Sequence, residues 1–521
     1  MSVIERRLAG VVLPLFSVRS RNDWGVGELP DFARLAPVLE RGGFSILMTL
    51  PLLEPSPGQE SPYSPVSAFA IDPLYVSLDD VEEFESLGGR AALDDEDRGW
   101  LRGARGSFHV RHDQVRPLKA RWLAKCHARF RESVDPASAR GRDFAAFCDA
   151  HAHWLDGYAL FRTLKDHHPQ SWRAWPEPLR HCDPAALAAA HEEHAVEIDM
   201  RRYVQWIAFR QLERSHAALS KRGILLGGDE PFLVAEDSAD VWGHQDLYRF
   251  DATVGAPPDA FSETGQDWGL PPYRWDRIAE SGYALFHARG AHAAALFDLV
   301  RIDHVVGLYR TFCWPLDEGD AYFVPAHEPE QRAQGEAVLE AFRASGAALI
   351  AEDLGVIPDF VRESLDRLSI PGFRVLRWEQ RDGRFRRPSE WPELSVATNG
   401  THDTEPTVTW WEALPEWERA AIREIPQLGE VPDDLAQSWN HHVSSALDDA
   451  LYSSPSHLAL LPIQDLFGLR DRINTPNTVG PQNWSWRLPW SLETIDAEDF
   501  LASQLDGFAS LARRTDRLRP R

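Results

Sequence analysis

Short apolar runs recur along the chain, and several of them stop at a carboxylate, amide or hydroxyl. They cover residues 11–15, 45–50, 224–226, 299–302, 348–351, 373–376, 395–397 and 458–463. The residues just past them are Ser17, Glu54, Asp229, Asp303, Glu352, Trp378, Asp403 and Gln464. Between the runs, apolar positions return at helical spacing. Phe32, Leu35, Val38 and Leu39 mark one helix, closed by Gly42-Gly43 and bent by Pro37. Ala337, Val338, Ala341 and Phe342 mark another. Phe360, Val361, Leu365 and Leu368 mark a third, opened by Pro358-Asp359. Strand, polar end and amphipathic helix in series predict an α/β fold, a (β/α)8 TIM barrel with helical insertions between barrel strands. In such a barrel the site sits at the C-terminal ends of the strands. A doubly wound open sheet is the alternative reading of the same series.

The spacing of the runs is uneven. Roughly 170 residues separate the second from the third, far more than a crossover helix requires. Residues 80–220, rich in Ala, Arg, His and Glu with helical stretches at 144–164 and 203–219, read as a mainly helical insertion subdomain. Residues 238–281 carry Gly255-Ala256-Pro257-Pro258 and Gly269-Leu270-Pro271-Pro272, and read as a lid or substrate-loop insertion. The whole chain, 1–521, is thus expected to be one decorated catalytic domain.

Composition narrows the partners. Apolar residues at 43% and charged residues at 26% are the mix of a globular soluble protein. No apolar stretch approaches the roughly 20 residues that cross a bilayer. Arg6 and Arg7 precede an apolar stretch, but Pro14 interrupts it, Arg19 and Arg21 follow, and no small-residue cleavage site is evident. Four scattered cysteines, Cys126, Cys148, Cys182 and Cys313, fit reduced thiols in a cytoplasm. A formal net charge of −25 without a basic run argues against nucleic acid and anionic membranes. It is compatible with a neutral substrate, and 20 tryptophans hint at carbohydrate, because aromatic faces pack on the C–H faces of sugars. There is no Walker loop, and Gly25-Val26-Gly27 is too short for a dinucleotide fingerprint. His191 and His194 lie i, i+3 on a helical stretch of the insertion and read as a solvated face rather than a zinc site. No cofactor and no metal are expected, and monomer and homodimer remain equally compatible.

Three segments place ionisable groups at or just past a strand end: Arg301-Ile302-Asp303-His304, Ala351-Glu352-Asp353 and Gly400-Thr401-His402-Asp403. Singly, each is equally a helix cap. Together at one barrel mouth they supply what glycoside cleavage needs, two carboxyl groups in different protonation states. Arg301 and Asp303 share one side of a strand, which suits Asp303 as nucleophile. Glu352 follows the apolar Ala348-Leu349-Ile350-Ala351, which suits a proton donor. Asp353 points to the opposite side and caps the next helix in this reading.

These motifs resemble those of the 4-α-glucanotransferases of glycoside hydrolase family 77, the amylomaltases or disproportionating enzymes. The resemblance also takes in Ser61-Pro62-Tyr63, Ser67-Ala68-Phe69-Ala70, Trp154-Leu155 with Tyr158-Ala159-Leu160-Phe161, and Gly228-Asp229 with the stretch from Asp237 to Trp242. It continues through Pro257-Pro258-Asp259-Ala260-Phe261-Ser262, Gly265-Gln266, Trp268-Gly269, Arg472-Ile473-Asn474-Thr475-Pro476 and Asn483-Trp484. It implies Asp303 as nucleophile, Glu352 as acid/base and Asp403 as the third carboxylate, with His402 and Asp403 on sugar hydroxyls. By the same resemblance Arg301 orients the nucleophile and Tyr63 stacks at the cleavage point. Asp229, Gln266, Trp268 and Asn474 look like substrate contacts; the alternative for Tyr63 and Trp268 is that they are ordinary core aromatics. Malto-oligosaccharides, maltodextrin and fragments of starch or glycogen are the implied substrates. Two departures stand out: Thr404-Glu405-Pro406 after His402-Asp403, and Asn477 where glycine is usual.

Transfer rather than hydrolysis requires water to be kept from the intermediate, for which the segment 255–266, with Phe261, and Trp268 are the candidates. A hydrolase using the same triad, and a metal-dependent barrel hydrolase ligated by Asp303, His304, Glu352, His402 and Asp403, are the rival readings.

Overall fold

The computed structural model describes residues 3–258, 264–381, 383–476, 478–495 and 497–518. Phe261 and Asn477 lie outside them. Eight strands close into a barrel: β1 (Leu8–Val12), β2 (Ile46–Met48), β3 (Leu225–Glu230), β4 (Leu299–Ile302), β5 (Ala348–Ala351), β6 (Gly372–Val375), β7 (Ser395–Thr398) and β8 (Leu458–Pro462). All neighbours are parallel, and closure comes from β1 against β8, with Leu8 opposite Leu458 and Val11 opposite Leu461. The open-sheet alternative is therefore excluded.

Period-two alternation sorts the side chains of each strand. Leu8, Ile46, Met48, Leu225, Leu299, Ile350, Phe373, Val396 and Leu458 form one buried cluster, the barrel interior. Their neighbours Ala9, Val11, Leu47, Leu226, Val300, Leu349, Ala397 and Ala459 belong to the larger core beneath the helices. Gly10 is required by this closure: a Cβ there would stand 2.7 Å from the Ile46 Cβ and 2.8 Å from its carbonyl oxygen.

Two strands depart from the expected runs by three residues or more, the others by two or fewer at either end. The first begins three residues earlier than the apolar run at 11–15, because Pro14 cannot extend a ladder and Leu15–Ser17 turn into a 3₁₀ helix. The third runs on through Gly227-Gly228 to Glu230, beyond the apolar residues. Gly228 sits there because a Cβ would meet the Phe297 ring at 2.4 Å. Pro37 does more than bend its helix: the segment breaks into Asp31–Arg34 and Ala36–Arg41.

Between β2 and β3 the chain is mostly helical, including Asp95–Gly106, His112–Ser133, Ala139–His167, Pro184–Glu193 and Ala195–Lys221. Ala195–Lys221 packs along Ala139–His167 and also against Asp31–Arg34 and β3. It is thus both part of the excursion and the crossover that returns the chain to the barrel.

The Gly/Pro-rich excursion after β3 is more ordered than a loop. Ala252–Ala256 pairs antiparallel with Gln266–Leu270 on one side and Thr311–Pro315 on the other, and Tyr322–Val324 completes a four-stranded sheet. Gly255 permits the close pairing, since a Cβ would stand 1.8 Å from the Gln266 carbonyl oxygen. No helix among the described residues is long and apolar enough to cross a membrane.

Candidate active site

The alternation that fills the barrel also aims the polar residues at its mouth. On β4, Arg301 follows Leu299 on the inner side, and Asp303 comes next on that side. The Asp303 backbone N–H donates to the Glu230 carbonyl at 3.0 Å, which fixes the chain as it leaves the strand. On β3 the inner position is Asp229, while Glu230 faces outward and pairs with Arg289 at 2.8 Å.

Arg301 joins these carboxylates. Its Nη1 donates to Asp303 Oδ1 at 2.9 Å and to both oxygens of Asp229, at 2.7 and 2.8 Å. The Tyr63 hydroxyl donates to Asp229 Oδ2 at 2.8 Å. Burial opposes the Arg301 cation, but Asp229 and Asp303 outweigh it and hold the guanidinium charged. Burial raises the Asp229 carboxyl above its ordinary range, against the pull of Arg301. The Tyr63 phenol is pushed far upward by burial and then by Asp229, so it stays a donor. With its side chain 2% exposed, Asp229 presents almost no surface, and its carboxylate is taken up by Arg301 and Tyr63.

Glu352 follows β5 on the inner side. Its Oε2 accepts from the His304 backbone N–H at 2.8 Å and its Oε1 from that of Leu354 at 3.1 Å. Burial pushes its carboxyl up to about 8, reinforced by Asp303 and opposed by Arg301 and the His304 N–H. Burial wins, and at neutral pH this group holds a proton while remaining within reach of a charged arginine. Asp353 faces the other way, as expected, but caps no helix. It accepts from the Phe373 N–H at 2.6 Å and pairs with Arg374 and Arg362, tying β5 to β6. The helix Asp359–Arg367 opens at Pro358 without a side-chain cap.

Asp403 lies on the loop after β7, 44% exposed. Asn474 Nδ2 donates to its Oδ1 at 2.6 Å, and Arg472 donates to its carbonyl at 2.6 Å. Arg472 also reaches Glu405 at 3.4 Å, and Glu405 pairs with the buried Arg377 at 3.2 Å. The departure at Glu405 therefore serves the loop that carries Asp403. His402 stacks on Tyr63, with ring centroids 5.0 Å apart and planes 16° from parallel. Gln266 and Trp268 belong to the hairpin strand Gln266–Leu270 and are bonded to each other at 3.1 Å. Trp268 presents its ring edge-on to His304 at 4.8 Å.

All ten expected site residues are thus connected through a continuous set of contacts, with His304 joining Glu352 and Trp268 to the rest. Four contributors are not among the expected site residues of the transferase reading, although His304 lies in one of the three ionisable segments and in the rival metal reading. His304 takes a left-handed conformation, φ 45°, that aims its N–H at Glu352; burial lowers its imidazole to about 4, so it is neutral. Trp484, also left-handed at φ 54°, packs within 5.6 Å of Tyr63 and 5.7 Å of His402. Non-glycine residues held there cost about 1–3 kcal/mol each, a strain that gathers where geometry must be fixed. Arg472 and Glu405 are the other two. The Arg472 and Trp484 motifs were visible, but no local spacing brings them to Tyr63 or Asp403. The metal-hydrolase reading lacks its geometry: among the described residues of the barrel mouth, no three His or carboxylate ligand atoms lie within 4.8 Å of one another.

Comparison with known proteins agrees over nearly the whole chain. The family model described as 4-alpha-glucanotransferase, glycoside hydrolase family 77, matches residues 13–493. The 4-alpha-glucanotransferase of Thermus thermophilus is 34% identical over 492 residues, covering 89% of this chain and 92% of its own. That of Chlamydia caviae is 31% identical over 515 residues, covering 96% and 94%. The amylomaltase of Streptococcus agalactiae, solved in complex with acarbose, superposes with a TM-score of 0.84 at 24% identity, covering 99% of this chain and all of that one. With a closed parallel barrel and a family match over most of the chain, the protein belongs to glycoside hydrolase family 77, the 4-α-glucanotransferases.

Proposed function

We propose that Asp303, Glu352 and Asp403 carry out this transfer on α-1,4-linked malto-oligosaccharides by a retaining double displacement. An Asp303 carboxylate oxygen attacks C1 of the donor sugar, the C1–O4 bond breaks, and Glu352 gives its proton to the departing O4. The 4-hydroxyl of a second glucan then returns a proton to Glu352 as its oxygen attacks C1. The ester to Asp303 breaks, and both carboxyl groups are restored. Asp403 and His402 hold hydroxyls of the distorted sugar, Asn474 holds Asp403, and Arg301 fixes the attacking oxygen. Tyr63 packs on the sugar at the cleavage point. Gln266 and Trp268 line the approach and help to keep water from the intermediate.

The observation that carries this reading is the pairing of unlike environments. Asp303 is bonded to a guanidinium, whereas Glu352 is raised to about 8 by burial. Two carboxyl groups set apart in this way are what an acid and a nucleophile require. The acarbose complex of the Streptococcus amylomaltase supports an oligosaccharide ligand for this cleft. The four free cysteines, two of them buried, support a cytoplasmic location.

The decisive experiment uses α-glucosyl fluoride, whose leaving group needs no protonation. Glu352→Gln incubated with it should accumulate a covalent glucosyl adduct, found by peptide mass mapping on the segment containing Asp303. An adduct elsewhere would displace Asp303 as nucleophile. Product profiles from maltotriose distinguish the hydrolase alternative: transfer yields glucose together with longer oligomers, hydrolysis only shorter ones.

A further inference from the structure

The helices Ala139–His167 and Ala195–Lys221 run side by side, and the first ends where the second begins. At that junction two imidazoles and one carboxylate converge. His167 Nε2 lies 2.9 Å from Glu197 Oε2, and His194 Nδ1 lies 3.2 Å from the same oxygen. The two rings are 4.2 Å apart between centroids and 31° from parallel. Among the described residues this is the one group of three or more His, Cys, Asp or Glu residues whose ligand atoms all lie within 4.8 Å of one another.

We propose that His167, His194 and Glu197 form a binding site for a divalent transition-metal ion, Zn²⁺ or a close relative. Two ring nitrogens directed at one carboxylate oxygen leave the space between the three atoms to be filled by protons or by a cation. A tetrahedral ion with ligands at about 2.1 Å separates its donors by roughly 3.4 Å, so the two nitrogen–oxygen spacings need only to open by a few tenths of an ångström, and the ring nitrogens lie within 4.8 Å of each other. Glu197 and His167 have side chains 49% and 42% exposed, which leaves an open face for water as the remaining ligand. His194, 15% exposed, is held at the base. Two imidazoles with one carboxylate select Zn²⁺, Ni²⁺, Co²⁺ and Cu²⁺ over Mg²⁺ and Ca²⁺, which prefer all-oxygen shells.

The surroundings favour the site. Arg201, one turn past Glu197, is engaged by Asp166, and Arg202 by Asp156 at 2.7 Å, so neither cation is left facing the cluster unpaired. The formal charge of −25 adds attraction for cations at long range. None of the three residues belongs to the barrel mouth. The ion would staple the end of one helix to the start of the next, closing the segment between His167 and His194. It would stabilise the folded chain by mass action without entering the transfer reaction. His191, the apparent partner of His194 in the sequence, is not among the ligands.

The test is calorimetric titration of metal-stripped full-length protein with ZnCl₂, with MgCl₂ as comparison. Saturable 1:1 Zn²⁺ binding with proton release is expected, no matching Mg²⁺ heat, and a melting temperature raised by Zn²⁺. His167→Ala, His194→Ala and Glu197→Gln should each weaken Zn²⁺ binding at least tenfold, whereas His191→Ala should leave it unchanged. His194 makes no side-chain cap to its helix, so its replacement removes the ligand without a cap. Melting of each variant in EDTA at the wild-type temperature verifies folding, and transfer activity on maltotriose should be unaltered. Absence of saturable binding below millimolar Zn²⁺, or equal affinity in wild type and the folded His167→Ala variant, would overturn the proposal.

Discussion

A carboxyl group that must protonate a departing glycosidic oxygen is useful only while it holds its proton. Glu352 is raised to about 8, first by burial, so kcat/KM for malto-oligosaccharide transfer should fall as pH rises through that region. A pH–rate profile flat from pH 7 to 9 would count against Glu352 as the acid. The same shift acts on stability. The unfolded chain loses this proton near the ordinary glutamate value of 4.5, whereas the folded chain keeps it to about 8. As pH rises through that window the folded state binds the extra proton, and stability falls. Glu352→Gln carries no such proton, so its melting temperature should exceed that of wild type at pH 8 by more than at pH 4. In activity the two carboxyl groups differ. Asp303→Asn removes the attacking atom and should lower kcat by roughly 10³-fold or more. Glu352→Gln should cost about 10²–10⁴-fold on glucans, whereas the first step on α-glucosyl fluoride, read as the burst of fluoride released as the adduct forms, should be slowed much less.

At the scale of elements, β4 and the hairpin strand Gln266–Leu270 divide the work. Arg301 on β4 meets two carboxylates with its side chain 10% exposed. Arg301→Ala would leave Asp229 and Asp303 facing each other unpaired. Breaking such a pair costs about 3–5 kcal/mol, measurable by urea unfolding, and activity should fall as well. Trp268 stands against His304, whose backbone holds Glu352. Trp268→Ala should therefore raise the ratio of glucose released by hydrolysis to oligomers formed by transfer, read from maltotriose products. An unchanged ratio would remove Trp268 from water exclusion. The strand order of Asp303, Glu352 and Asp403 was legible because β4 and β5 coincide with their apolar runs and β7 differs by one residue. The four-stranded side sheet was not legible. Its strands owe their pairing to glycines and to partners from both sides of β4, which no local periodicity records.

Across the whole molecule, distant segments are locked by buried polar contacts. Lys119, in the helix His112–Ser133, donates to Glu28 at 2.5 Å and to the carbonyls of Leu74 and Val76, each at 2.8 Å, with both ionic side chains nearly sealed. The helical excursion is thereby fastened to the stretches around β1 and β2. Burial raises the Glu28 carboxyl to about 8 even beside Lys119, so Lys119→Met would leave a neutral buried carboxyl and the Leu74 and Val76 carbonyls without their donor, and should lower unfolding stability by about 1–3 kcal/mol, with little change in KM if the site survives. Closure of the barrel is as intolerant of added volume. Gly10→Val, placed against Ile46 and Leu460, should cost about 1–3 kcal/mol or more, seen as a lowered melting temperature.

By itself the sequence determined which residues are chemically able to act, and in what strand order. Apolar runs ending in carboxylates, and the two-residue offset of Arg301 from Asp303, follow from local periodicity, and periodicity is written along the chain. Tertiary structure alone decided what those residues become. Asp229 turned out to be a buried anchor for Arg301 and Tyr63, and Glu352 a carboxyl whose proton is held by burial. Trp484, Arg472 and Glu405 joined the site, and His194 met His167 rather than His191. Each outcome depends on desolvation and on contacts between residues far apart in the chain, and these exist only once the barrel has closed.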